Sequence, residues 1–100
     1  MPRNQNIFHF ESVASTNDVC FEKCRLNEET NVIIANQQTQ GRGRNSKKWV
    51  SPKGNISISI GFISDRPVEA LSVKTGLVVA RTIKEVFGKN VGIKWPNDLI

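Results

Sequence analysis

Residues 55–63 read NISISIGFI, and this stretch constrains the fold more than any other. Ile56, Ile58, Ile60 and Phe62 alternate with Ser57, Ser59 and Gly61, a period of two that no helix can satisfy. The segment is therefore a strand, apolar on one face and small and polar on the other. A second pattern follows at helical spacing. Leu71, Thr75, Val78, Val79, Ile83, Val86 and Phe87 form one stripe, and Gly88 ends it as a helix-terminating residue. Ser64-Asp65-Arg66-Pro67 between the two supplies a turn and a helix start, with proline tolerated in a first turn.

Upstream, Ile7 to Val13 alternates as a strand, with Phe8 and Phe10 on one face and His9 and Glu11 on the other. Ser15-Thr16-Asn17-Asp18 matches a capping box, in which Ser15 accepts from the Asp18 amide and Asp18 complements the helix N-terminus. A helix to about Leu26 follows, broken by the polar run Asn27–Asn31 before the strand Val32–Ala35. A short strand from Val91 to Lys94 leads into the proline turn Trp95-Pro96-Asn97-Asp98. The order β-α-β-loop-β-α-β predicts an α+β fold, one mixed sheet with flanking helices. One hundred residues is enough for one small domain, and 38% hydrophobic with 23% charged content makes disorder a poor reading.

Several chemistries are excluded by inventory. No apolar run approaches the ~20 residues of a membrane span, and MPRNQNIFHF has no signal core, so a cytoplasmic protein is expected. His9 is the sole histidine and Cys20 and Cys24 the sole cysteines, too few ligands for a zinc site and no basis for a Ser/His/Asp or Cys/His set. The cysteines read as ordinary helix residues, and His9 as a half-exposed strand residue.

The charge is +5, and Arg42, Arg44, Lys47, Lys48 and Lys53 fall in one glycine-containing segment, TQGRGRNSKKWVSPKG. It lacks the spacing of a P-loop, and Ser46 stands where a dinucleotide fingerprint needs its third glycine. Arg42 and Arg44 are planar forks suited to carboxylate or phosphate, and Gly41 and Gly43 let backbone amides approach an anion. Trp49 could cover a flat ring or anchor the end of the loop. From composition alone the segment fits a solvated loop, a nucleic-acid contact or a small-anion site. Ile93-Lys94-Trp95-Pro96-Asn97-Asp98 adds a cation, an amide and a carboxylate at a second strand end, where ligands commonly gather.

Three segments together resemble the biotin protein ligase catalytic domain: S-T-N at Ser15–Asn17, Q-x-x-G-R-G-R-x-x-x-x-W at Gln38–Trp49 with S-P-x-G after it, and K-W-P-N-D at Lys94–Asp98. The resemblance implies the biotin/lipoyl ligase-like fold, which is class II aminoacyl-tRNA synthetase-like. It also implies a two-step reaction: biotin and Mg-ATP give biotinyl-5′-AMP, and a lysine of a biotin carboxyl carrier protein then takes the biotinyl group. By similarity, Ser15, Thr16, Asn17, Gln38, Gly41, Arg42, Gly43 and Arg44 bind biotin. Arg42, Arg44, Trp49, Lys94, Asn97 and Asp98 bind the adenylate, and Arg42, Arg44 and Lys94 serve catalysis. Mg²⁺ arrives with ATP near Asp98, without a dedicated protein site.

The family's next motif, a lysine before a small-Gly-apolar strand, would follow Ile100, as would later strands and a small C-terminal β-domain. The expectation is therefore the N-terminal portion of a catalytic domain over residues 1–100, with no DNA-binding domain before it, no DNA or membrane partner, and a homodimer through an exposed sheet edge. The alternatives are a lipoate-type acyl-adenylate ligase, an inactive fragment and a basic nucleic-acid-binding module.

Overall fold

The computed structural model describes residues 5–43, 47–94 and 98–99, which fall into two units divided after Ile63. In the first unit, strand β1 (Gln5–Val13), helix α1 (Thr16–Asn27), strand β2 (Thr30–Gln38) and strand β3 (Ser57–Gly61) follow in chain order. β1 pairs parallel to β2 and β2 pairs antiparallel to β3, giving a mixed sheet of order β1-β2-β3.

The register decides which side chains share a face. Phe8 lies beside Ile33 and Phe10 beside Ala35, while Ile33 lies opposite Ser59 and Asn31 opposite Gly61. α1 covers this face, and the unit's core is Cys20, Cys24 and Ile33 with Phe8, Phe10 and Val19 packed around them. The alternation of β3 is thus as expected, but its burial is the reverse of the simplest reading. Ser59 is 8% exposed, whereas Ile58 and Ile60 are 54% and 63% exposed. The reason is steric. A helix can approach this edge of the sheet closely only where side chains are small.

Gly61 marks the point of closest approach. A Cβ there would lie 2.6 Å from Cys20 Sγ and 2.8 Å from Cys24 Sγ, nearer than van der Waals contact allows. On the opposite face of the sheet Ile7, Ile58 and Ile60 are exposed among the described residues of this unit.

α1 begins as its sequence directs. Ser15 is extended (φ −155°, ψ 127°), and its hydroxyl accepts from the Asp18 amide at 3.4 Å. The helix ends with Glu28 in the left-handed region (φ 54°), so the chain turns into β2 within two residues. That turn is held by an amide pair. Asn27 Nδ2 donates to Asn31 Oδ1 (2.9 Å) and Asn31 Nδ2 to Asn27 Oδ1 (3.0 Å), and the fully buried Asn31 also donates to the Glu29 carbonyl (3.0 Å). The asparagines expected only to break the helix therefore also fasten its end to the sheet.

The second unit contains helix α2 (Leu71–Phe87) and two short strands, β4 (Ile93–Lys94) and β5 (Asp98–Leu99), paired antiparallel. α2 starts later than Pro67 would suggest. Ala70 precedes it with φ 51°, a left-handed residue that interrupts helical propagation and provides no side-chain cap. Gly88 closes the helix as expected, with φ 68° and its amide donating to the Lys84 carbonyl at 2.9 Å. Among the described residues β1–β3 form the mixed sheet of the first unit, and β4 and β5 form a separate two-stranded pair in the second. Asp98, expected in a turn, lies in β5 opposite Lys94.

Two outcomes follow from the α1–β3 contact. Gly61→Ala should destabilise the chain by about 1–3 kcal/mol through overpacking, read as a lower urea midpoint; an unchanged midpoint would remove the close contact. Burial, and then the adjacent Cys24, push the Cys20 thiol from 9.0 up to about 11. Between those values the unfolded chain ionises and the folded chain does not, so folding stability should fall as pH rises from about 9 to about 11. Urea titrations across that range should show the loss in the wild type and not in Cys20→Ala.

Candidate functional site

The site forms where the first turn of α1 meets the ends of β2 and β3. Thr16, 3% exposed, is its centre. Gln38 Oε1 accepts from the Thr16 amide at 2.7 Å and from the Thr16 hydroxyl at 3.0 Å. The same hydroxyl lies 2.8 Å from Ser59 Oγ, and Ser59 in turn donates to Asn17 Oδ1. Gln38 Nε2 donates to Ser51 Oγ at 2.9 Å, and the Gln38 amide to the Ser51 carbonyl at 3.2 Å. One connected network thus joins Asn17, Ser59, Thr16, Gln38 and Ser51.

Counting protons gives this network its chemical character. Thr16 and Ser59 each bring one hydroxyl proton, yet their oxygens make contacts to Gln38, to each other and to Asn17. Two protons serve three contacts, so the cluster is rich in acceptors. It opens with Arg42, Ser57 and Ile58 on a cavity of about 250 Å³. A ligand bearing N–H donors suits such a wall.

The basic loop is built as an extension of the β2–β3 connection. Its two sides meet where Arg42 bridges Lys48, the Trp49 amide donates to the Gly41 carbonyl (2.8 Å), and the Gly43 amide donates to the Lys47 carbonyl (2.5 Å). Gly41 is required by space: a Cβ there would lie 2.7 Å from the Trp49 carbonyl and 3.1 Å from Gln38 Nε2. The Arg42 guanidinium donates to the Asp18 carboxylate, and both side chains are about half exposed (49% and 51%). Such a pair is worth only ~0–1 kcal/mol. An incoming carboxylate or phosphate can therefore compete for Arg42 at small cost. Trp49 is 61% exposed at the base of the loop, with its amide rather than its ring held.

Of the expected site residues, the structure brings Ser15, Thr16, Asn17, Gln38 and Arg42 around one cavity, with Gly41 directly behind Gln38. Gly43 and Trp49 lie on the loop arms. Arg44 and Asn97 fall outside the described residues. Lys94 and Asp98 belong to the second unit, where their backbones pair in β4–β5. Ser59, Ser51 and Asp18 are site residues that sequence reasoning did not select. The serine side of the alternation at Ser57–Gly61 was the available signal for Ser59, but only the register with β2 aims it at Thr16.

Residues 9–100 match the biotin/lipoate A/B protein ligase family. The chain belongs to that family. It is similar to the bifunctional ligase/repressor BirA of Bacillus subtilis, 32% identical over 101 residues, a match covering 96% of this chain and 31% of that protein. It is also 36% identical over 77 residues to the biotin–[acetyl-CoA-carboxylase] ligase of Mycobacterium tuberculosis, covering 69% of this chain and 29% of that one. In structure it resembles the biotin protein ligase of Leishmania major in complex with biotinyl-5-AMP, with TM-score 0.80 and 31% identity over 95% of this chain and 47% of that one. The fold expectation of a mixed sheet with flanking helices of the ligase type therefore holds. The chain spans about a third of the length of these curated relatives and just under half of the structural neighbour.

Ser59→Ala removes the donor to Asn17 and one partner of Thr16. The expected cost is roughly 1–3 kcal/mol, because buried polar atoms are left with fewer partners. A double-mutant cycle with Thr16→Val should return a coupling energy of about 0.5–3 kcal/mol. Strict additivity in urea denaturation would break the network as drawn.

Proposed function

We propose that this chain forms the biotin-binding part of an ATP-dependent biotin protein ligase. The observation that carries the reading is the acceptor-rich network of Thr16, Gln38, Ser59 and Asn17 at a cavity whose rim bears Arg42. The ureido head of biotin is a pair of N–H donors on a compact apolar bicycle. It complements acceptors set beside Ile58, and a valeryl carboxylate reaches toward the cation at the rim.

In this reading the biotin carboxylate attacks the α-phosphate of ATP, pyrophosphate leaves, and biotinyl-5′-AMP forms. A lysine amine of a biotin carboxyl carrier protein then attacks the acyl carbonyl, and AMP leaves. The chain's contribution is positional and electrostatic. Thr16, Gln38 and Asn17 fix the head group, so the carboxylate is presented in one place. Arg42 exchanges Asp18 for the ligand and offsets the repulsion between carboxylate and polyphosphate, a role shared with Arg44 on the same loop. Lys94, Asn97 and Asp98 attend the adenylate end, and Trp49 encloses it. Mg²⁺ would enter with the nucleotide and supply neutralisation of the polyphosphate charge.

No helix among the described residues is long and apolar enough to cross a membrane, and both cysteines are free thiols. A cytoplasmic enzyme acting on a cytoplasmic carrier is part of this proposal.

Biotin-dependent exchange between pyrophosphate and ATP tests the reading in the protein that carries this chain. Exchange should require biotin. Exchange supported by lipoate instead, or none with either acid, would overturn it. Arg42→Ala should accelerate loss of biotinyl-5′-AMP by one to two orders of magnitude, on the order of 1.5–3 kcal/mol for a charge-assisted bond, while lowering folding stability by no more than about 1 kcal/mol. Equal adenylate retention would remove Arg42 from the site.

A further inference from the structure

The proposed biotin chemistry leaves Cys20 and Cys24 unused. They stand one helical turn apart on α1, both buried and both free thiols. Their sulfurs converge on Gly61, lying 2.6 and 2.8 Å from the position its missing Cβ would take. A cavity of about 340 Å³ beside β3 reaches both thiols and is also lined by Phe21, Arg25 and Phe62. The surroundings are defined: Cys20 donates to the Asn31 carbonyl (3.7 Å), and Cys24 donates to the Glu29 carbonyl (3.9 Å) and accepts from Asn31 Nδ2 (3.3 Å).

The geometry and the burial restrict what such a pair can bind. A disulfide between helical positions four apart is disfavoured, because both Cβ atoms project along the same face of a rigid backbone. Zinc takes four ligands, and the described residues offer no group of three or more metal-binding side chains here. Burial also disfavours thiolate, and the Cys20 thiol is pushed up to about 11. The fitting ligand takes two sulfurs, is thiophilic, and leaves no charge behind. A trivalent organoarsenical meets all three conditions.

We propose that Cys20 and Cys24 form a chelating site for trivalent organoarsenicals, entered through the cavity beside β3. In the step, two As–S bonds form while the As–O bond and both S–H bonds break. The oxygen leaves with the two protons as water. Arsenic stays trivalent and no electrons are transferred, so no co-reactant is needed. The product is neutral, which is why a buried pair of protonated thiols accommodates it. A soft thiol pair favours such a centre over harder cations.

Phenylarsine oxide added to the intact folded chain tests the site by native mass spectrometry. The expected result is a single phenylarsenic adduct with loss of water, retained in excess 2-mercaptoethanol and removed by 1,2-ethanedithiol. Cys20→Ala and Cys24→Ala should each lose the monothiol-resistant adduct. Should either variant fail to fold, the wild type alone suffices: phenylarsine oxide bound to the folded chain should protect both cysteines together from iodoacetamide added afterwards with urea, where the unprotected thiols are exposed and react, read by peptide mapping. No adduct on the folded chain, an adduct reversed by the monothiol, or protection of only one cysteine would overturn the proposal. The readout needs neither biotin nor ATP, so it stands or falls apart from the ligase reading.

Discussion

The rest of the first unit depends on how closely α1 can lie against the β2–β3 half of the sheet. That distance is set by the small residues Ser59 and Gly61, and at Gly61 the sulfurs of Cys20 and Cys24 fill the space a Cβ would occupy. The approach has two consequences. It forms the core with few large residues, and it brings the first turn of α1 within hydrogen-bonding distance of β2 and β3. A bulkier residue at either position would push the helix outward and separate Thr16 from Gln38 and Ser59. Packing and site geometry therefore depend on the same contact.

The electrostatics of the site follow a different logic. Inside, the polar atoms are neutral and mutually bonded, so they recognise shape and donors. At the rim, Arg42 is half exposed and held by a carboxylate on α1. An exposed ion pair is weak because water screens both charges, and a weak internal partner is easily exchanged for an external anion. The loop arms meanwhile are pinned by backbone bonds at Gly41 and Gly43, and Gln38 is tied to Ser51. A fixed neutral pocket beside an exchangeable cation suits a ligand with a polar head and an anionic tail.

Much of this was legible in the sequence. The capping box at Ser15–Asp18, the alternation of Ser57–Gly61 and the closing Gly88 each express a local rule, and each appears as read. The three ligase-like segments also led to a family the chain does belong to. What local rules missed was long-range. Pro67 suggested a helix start, but Ala70 with its positive φ delays it. Asp18 looked like a capping residue, yet it also holds Arg42 across the site. Ser59 read only as part of the polar face of a strand, and Ser51 only as the first residue of the S-P-x-G segment.

The isoleucine alternation shows the division most clearly. Sequence by itself determined that residues 55–63 hold a strand with two chemically distinct faces, because a period of two is a property of the extended backbone, and the structure narrows it to Ser57–Gly61. It also determined where α1 begins and which residue types the loop offers an anion. Only the tertiary structure decided that α1 lies on the serine face rather than the isoleucine face. That choice comes from register with β2, which sets Ser59 opposite Ile33 and Gly61 opposite Asn31, and from excluded volume between the helix and the strand. Pairing and volume join residues distant in the chain, and no local pattern encodes them.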